Sequence, residues 1–294
     1  MTTLITGGTG RTGLALAHLL HDAKRPLVIA TRAGAAPAPF TAVRFEWYDF
    51  DSHVAALSAH DNATPTSKID RVYIVKPPLT TDAVVVTSFI DLAISKGVTR
   101  FVLLSSTQVG PDPSSNSPGS VIHQYLIDRG VEYAVLRPTW FMQNFDANFK
   151  RSIRDYDYIF SATHDGKIPW VSTDDIAQVA FECLTATQSP NKDIFVVGPE
   201  LLSYEDVAAI ASKVLERPIR FKRYTLEEQA AFYISLKWDP KYAKFLAELD
   251  TKIAQGSEEA VFVDPETEKN GRKYVGKRTL FEYFVANKKL WIKQ

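Results

Sequence analysis

The chain predicts an α/β fold: a doubly wound parallel sheet with helices on both faces, followed by a smaller, mainly helical lobe. Three observations carry that expectation. Short apolar runs alternate with helical-period stretches from the start of the chain to Pro138. A glycine-dense turn joins the first run to the first helical stretch. Past residue 140 the alternation gives way to aromatic residues and successive helical patterns.

The first strand is Thr2-Thr3-Leu4-Ile5-Thr6, and Gly7-Gly8-Thr9-Gly10-Arg11-Thr12-Gly13 follows it. Leu14, Leu16, Ala17, Leu19 and Leu20 then recur at helical spacing before a second strand, Leu27-Val28-Ile29-Ala30. Strand, tight glycine turn, helix, strand is the unit that binds a dinucleotide, as in Rossmann sheets. Glycine lets backbone approach a pyrophosphate closely, and the N–H groups at the helix start hold the phosphates. Two spacings overlap, Gly8-x-Gly10-x-x-Gly13 and Gly7-x-x-Gly10-x-x-Gly13, and the wider one is the expected reading. The second strand ends Ala30-Thr31-Arg32 with no acid for a ribose 2′-hydroxyl. Arg32, with Arg11 inside the turn, suits a 2′-phosphate, so the expected cofactor is NADP(H).

Residues 33–39 read as a Gly/Pro loop, and Val43-Arg44-Phe45-Glu46-Trp47 as a third strand. Asp49 beyond it either borders the adenine or caps the next helix. Arg71–Val75 is a fourth strand, stopped by Lys76-Pro77-Pro78, and Phe89, Ile90, Leu92, Ala93 and Ile94 stripe the next helix. Arg100–Thr107 reads as a fifth, fully covered strand and Glu132–Arg137 as a sixth, stopped by Pro138. The expected division is a dinucleotide domain over 1–150 and a substrate lobe over 151–294, some of whose segments can return to the sheet. Trp140, Phe141, Phe145 and Trp170 crowd the start of the second part. Helices are expected near 174–186, 203–216, 225–236, 240–254 and 278–290, with a strand at Ile194–Val197 and an exposed loop over 264–271. One of Asp174 and Asp175 is expected to N-cap its helix. The helical lobe is expected to close over the carboxyl ends of the strands.

Lys plus Arg and Asp plus Glu both number 34, which argues against a nucleic-acid or anionic-membrane partner. Cys183, the single cysteine, reads as a buried helix residue and excludes an internal disulfide. No metal-ligand cluster is apparent. With the first strand beginning at residue 2 and no run long enough to span a bilayer, a cytoplasmic protein is expected.

Leu104-Ser105-Ser106-Thr107, Leu136-Arg137-Pro138-Thr139-Trp140-Phe141-Met142-Gln143-Asn144 and the run Asp165–Ala177 together resemble the NmrA-like branch of atypical short-chain dehydrogenases. Gly198–Tyr204 and the ending Phe281-x-x-Phe284-Val285-x-Asn287-x-x-x-Trp291 extend the likeness across the chain. Within that branch the chain looks most like the fungal festuclavine and agroclavine dehydrogenases of ergot-alkaloid synthesis. The resemblance implies an NADP-dependent reductase of a C=N bond in an alkaloid precursor. It implies Gly7, Thr9, Gly10, Arg11, Thr12, Gly13 and Arg32 as cofactor contacts, Ser105 beside the cofactor, and Thr139 with Trp140 at the nicotinamide end. Lys76 stands where a small residue is expected before the prolines, to touch a phosphate, enter the pocket or do neither. The substrate pocket is expected from Trp140, Phe141, Asn144, Tyr125 and Trp170.

Short-chain reductases usually donate a proton from a Tyr paired with a Lys four residues on. Counted back from Gly130 by the family's usual spacing, those positions fall on Ser115 and Gly119. Tyr125-x-x-x-Arg129 is out of register. Thr107 occupies the assisting-hydroxyl position, and His123, one turn beyond Gly119, is the other candidate acid. Two readings follow. A cationic iminium acceptor needs no acid, because hydride neutralises it, and the substrate is then a flat aromatic or cationic small molecule. Alternatively the chain binds NADP(H) as a sensor and passes its occupancy to a protein partner.

Overall fold

A computed structural model describes residues 1–61, 67–77, 82–112, 114–115 and 117–293. Pro78, read above as part of a strand stop, lies outside them. Up to Pro138 the elements are β1 (Thr2–Thr6), α1 (Arg11–Asp22), β2 (Leu27–Thr31), β3 (Ala42–Arg44), α2 (Phe50–Leu57), β4 (Ile69–Val75), α3 (Val84–Ser95), β5 (Arg100–Leu104), α4 (Pro118–Asp128) and β6 (Glu132–Pro138). Then come α5 (Asn144–Asn148), α6 (Lys150–Tyr156), β7 (Tyr158–Ser161), α7 (Thr173–Thr185) and β8 (Lys192–Val197). The remainder holds α8 (Tyr204–Leu215), β9 (Arg220–Arg223), α9 (Leu226–Ser235), α10 (Pro240–Ala254), α11 (Ser257–Val263), α12 (Pro265–Lys269), β10 (Lys273–Val275), α13 (Leu280–Ala286) and a closing 3-10 turn.

The chain forms two compact units, one of Met1–Pro138 with Thr173–Phe195, the other of Thr139–Ser172 with Val196–Gln294. Relative to the expected division at residue 150, the boundary moves to Pro138, and the segments that return to the first unit are α7 and most of β8. The cause is the apolar stripe of α7: Ile176, Ala177, Val179, Ala180, Cys183 and Leu184 are all buried, and the helix packs on α1, β4, β5 and β6. Arg100, only 2% exposed, fixes its far end by donating to the carbonyls of Cys183, Leu184 and Ala186. Asp174 and Asp175 both lie inside the first turn of α7 rather than one of them preceding it.

In the first unit β3, β2, β1, β4, β5 and β6 lie side by side, every pair parallel. The sheet continues through β8 and, beyond its Val197, β10. The chain winds outward from β1 to β3 and then returns beside β1 to place β4, so the order reverses between β1 and β4. Leu4, Ile5, Val28, Ile29, Val72 and Phe101 have no exposed surface, as a strand covered on both faces requires. Thr6 rivets the reversal point: its hydroxyl donates to the Tyr73 carbonyl and accepts from the Val75 amide. β3 is shorter than expected and ends at Arg44. Phe45 and Trp47 turn inward to pack on His53 and Phe89, with ring centroids 4.9–6.0 Å apart, and Trp47 Nε1 donates to the Val75 carbonyl. β5 likewise ends at Leu104, three residues early.

The second unit is organised around aromatic packing. Phe145, Phe149, Trp170, Tyr204, Phe284 and Trp291 are all buried and belong to one apolar cluster. A two-stranded parallel sheet of β7 and β9 lies in this unit, in register Tyr158 to Arg220. Capping boxes start three of its helices: Ser203 with Asp206, Thr225 with Glu228, and Thr279 with Glu282. The expected loop at 264–271 contains α12, because Asp264 caps it and Pro265 suits its first position.

Candidate functional site

The turn after β1 sits at the carboxyl end of the sheet, at the point where strand order reverses. Gly7 has φ +62°, which favours glycine, and its carbonyl accepts from the Gly10 amide at 2.8 Å. A Cβ on Gly13 would lie 2.6 Å from the Gly7 oxygen and 2.8 Å from the Gly8 Cα, so helix and turn touch backbone to backbone. A Cβ on Gly8 would meet Ile29 Cγ2 at 2.6 Å. Both overlapping glycine spacings are thus in use: Gly7 for its dihedral, Gly8 and Gly13 for closeness. Gly10 N-caps α1 and no side chain caps the helix start, which leaves its first amides to an anion. This cradle fits a dinucleotide's pyrophosphate.

Thr9, Gly10 and Arg11 are exposed around the cradle. Thr12 is turned inward instead, where its hydroxyl accepts from Tyr73 at 3.1 Å. Only its backbone amide remains for a phosphate. Arg32 is exposed just past β2, with no ion pair to any described residue. Asp49 N-caps α2 and holds Arg44, whose guanidinium keeps the carboxyl below its usual range. Lys76 follows β4, half-buried, and burial lowers its pKa. Ser105 follows β5, with its amide on the Leu136 carbonyl at 2.7 Å.

Beyond β5 the backbone is held by Arg137. Its guanidinium pairs with Asp193 at 2.7 Å, lies 4.2 Å over the Phe195 ring, and donates to the carbonyls of Ser106 and Thr107. That pull ends β5 early and fixes Thr107, which is 6% exposed. Ser115 lies before α4 and Gly119 in its first turn, where a Cβ would meet Val109 Cγ1 at 2.8 Å. Thr139, first residue of the second unit, donates its amide to the Val196 carbonyl and its hydroxyl to Glu258 Oε2 at 2.7 Å. Trp140, Phe141 and Asn144 follow it, all half-buried.

Three expectations for the reacting end are corrected. His123 is 1% exposed and packs beside Tyr133, near the start of β6, so it belongs to the helix–sheet interior. Tyr125 donates to Asp91 of α3 at 2.6 Å, in a trio with Arg129, and closes the α3–α4 contact rather than lining a pocket. Trp170 is 1% exposed, tilted against Phe145 at 4.7 Å and edge-on to Tyr204. It is core, as is Phe145. Of the expected aromatic cluster, Trp140 and Phe141 keep surface. Among the described residues no group of His, Cys, Asp or Glu could hold a metal, and no helix is long and apolar enough to cross a membrane. Cys183 is buried in α7, its thiol pushed up to about 12 by desolvation.

The family model described as NmrA-like matches residues 1–284. The chain belongs to the NmrA-like family. This NmrA-like chain is 38% identical over 300 residues to an agroclavine dehydrogenase of Claviceps fusiformis, with 99% of each covered. It is 41% identical over 224 residues to festuclavine synthase I of Penicillium roqueforti, covering 74% of this chain and 76% of that one. Festuclavine dehydrogenase of Aspergillus fumigatus is 36% identical over 264 residues, 88% and 89% covered. The fold matches a triphenylmethane reductase of Citrobacter, solved with NADP(H), at TM-score 0.74, 16% identity and 98% and 99% coverage. It also matches an NADPH-dependent quinone oxidoreductase of Escherichia coli, solved with NADPH, at TM-score 0.73, 20% identity and 97% and 99% coverage.

The sequence reading of this NmrA-like chain missed Thr6, Tyr73 and Glu258, and read Arg137 only as a strand end. Their partners lie 67, 61, 119 and 56 residues away, so no local pattern announces them. A buried-strand Arg before Pro138 was the one available signal, since an arginine there demands a carboxylate.

Proposed function

We propose that this protein is an NADP(H)-dependent oxidoreductase that passes hydride to a cationic C=N acceptor of the alkaloid type. Support for the oxidoreductase class comes from the dehydrogenases it resembles over nearly its full length. What supports the acceptor class is that the positions counted by the family's spacing for the proton donor hold Ser115 and Gly119. Serine there is no match for a lowered phenol, and a lysine at Gly119 would have to displace Val109.

On this proposal NADP(H) is held by residues of the first unit. The amides of the glycine turn and the start of α1 take the pyrophosphate, and Arg32 with Arg11 takes the 2′-phosphate by forked, charge-assisted bonds. Asp49, already a cap and a partner of Arg44, lies past β3 on the adenine side. Lys76 and Ser105 stand at the carboxyl ends of β4 and β5, Lys76 able to meet a phosphate as an ammonium. When bound, the cofactor supplies hydride.

A ketone becomes an alkoxide on accepting hydride and needs a proton or an oxyanion partner. An iminium carbon becomes a neutral amine and needs neither. The protein then has to orient the acceptor and exclude water, and orientation alone contributes on the order of 7–11 kcal/mol. Trp140 and Phe141 supply ring faces to a flat cation, worth ~0.5–2 kcal/mol each. The test is NADPH oxidation, followed by absorbance, against a panel of cyclic iminium salts with ketones of similar shape. Turnover of the iminium salts and not the ketones is expected; the reverse order overturns the reading.

A further inference from the structure

Glu258 has no exposed surface, and its carboxylate accepts the Thr139 hydroxyl proton at 2.7 Å. Thr139 is itself held at the end of β6, its amide donating to the Val196 carbonyl at 3.1 Å, and keeps 4% of its surface. A hydroxyl has one proton and two lone pairs, and here the proton is directed to Glu258 Oε2. With its proton committed to Glu258, the Thr139 oxygen has only acceptor capacity left. The residue has little freedom to turn around, because the fixed ring of Pro138 precedes it and both its backbone amide and its hydroxyl are engaged.

We infer that Glu258 is a positioning residue that locks Thr139 as a hydrogen-bond acceptor for an N–H donor of the bound ligands. The inference rests on the reading of this end of β6 as the nicotinamide end. Two groups there carry the chemistry: the carboxamide NH2 of the cofactor, and an N–H on the nitrogenous acceptor. A ketone or ether oxygen finds no donor in Thr139, so the pair also disfavours carbonyl acceptors at this point.

The experiment compares Thr139→Val, Thr139→Ser and Glu258→Leu with the unaltered protein in two arms. The first measures binding of NADPH and of its reduced 3-acetylpyridine analogue, which lacks the NH2, by fluorescence. The second measures KM and kcat for protonated 3,4-dihydroisoquinoline and for its N-methyl iminium, which has no N–H. One lost hydrogen bond corresponds to about three- to tenfold. If the donor is the carboxamide, the protein prefers NADPH over the analogue by about that factor. Thr139→Val and Glu258→Leu then abolish the preference and Thr139→Ser keeps it. If the donor is the acceptor's N–H, the same pattern shows in KM for the N–H iminium, with kcat nearly unchanged and the first arm unmoved. A merely structural Glu258 lowers both ligands of each pair alike, and that result overturns the inference. So does an unmoved first arm together with a second arm that is unmoved or shows no turnover. Should Thr139→Val fail to fold, Thr139→Ser against Glu258→Leu decides. Absence of turnover in the unaltered protein refutes the proposed activity, whereas turnover without either discrimination refutes only this inference.

Discussion

Cofactor choice is proposed to rest on Arg32, which stands one residue past β2, exposed and without an ion pair to any described residue. Replacing it by aspartate puts a repelling charge at the proposed 2′-phosphate site. Arg32→Asp is expected to weaken NADPH by about tenfold or more and to leave NADH within a few-fold, measured by fluorescence titration of both. Equal losses contradict the assignment. Ser115 makes the opposite case. Its hydroxyl accepts from the Ser117 amide at 3.1 Å, a local turn contact, and no proton transfer is assigned to it. Ser115→Ala should therefore keep kcat within a few-fold; a collapse of kcat means the missing dyad has been misplaced. The glycine turn was legible because glycines announce it, whereas an arginine without a nearby acid only suggests a phosphate. Thr12 was legible only in part, because nothing in the string says that Tyr73, 61 residues on, takes its hydroxyl.

At the scale of elements, helices with a stripe and a cap were readable, and α8, α9 and α10 fall where periodicity puts them. Strand ends were not, since β3 stops where Phe45 finds Phe89 and β5 stops where Arg137 takes its carbonyls. Trp170 was misread for a similar reason: an aromatic run looks the same whether it lines a pocket or fills a core. Trp170→Ala is expected to cost roughly 3–5 kcal/mol of stability in denaturant unfolding. An unchanged midpoint with a raised acceptor KM would return it to the pocket. Asp250 of α10 supplies a pH test. It is 3% exposed, accepts from Ser161 and the Ala162 amide, and burial pushes its pKa up to about 7. Below its unfolded pKa, near 3.8, the group is protonated in both states and costs nothing. As pH rises toward about 7 the unfolded chain gives up the proton first, so stability falls across that window. Asp250→Asn should then raise the melting temperature at about pH 8 and change it little near pH 4. Equal shifts at both pH values contradict the raised pKa.

For the whole molecule, strand–helix alternation made the doubly wound sheet legible, whereas the strand order with its reversal beside β1 is seen only in the structure. The domain division was legible only in part. α7 and most of β8 come after the aromatic stretch in the chain yet join the first unit; the sequence allows for such a return, and the buried stripe of α7 shows which segment makes it. The central claim at this scale is that the protein transfers hydride to carbon rather than holding its dinucleotide as a signal. The direct measurement is label transfer: NADPH carrying deuterium on the donated position, a cyclic iminium acceptor, and mass spectrometry of the amine formed. One deuterium on the former C=N carbon for each NADPH consumed is the expected result. Tight NADPH binding with no deuterium in any product would contradict it and leave a sensor.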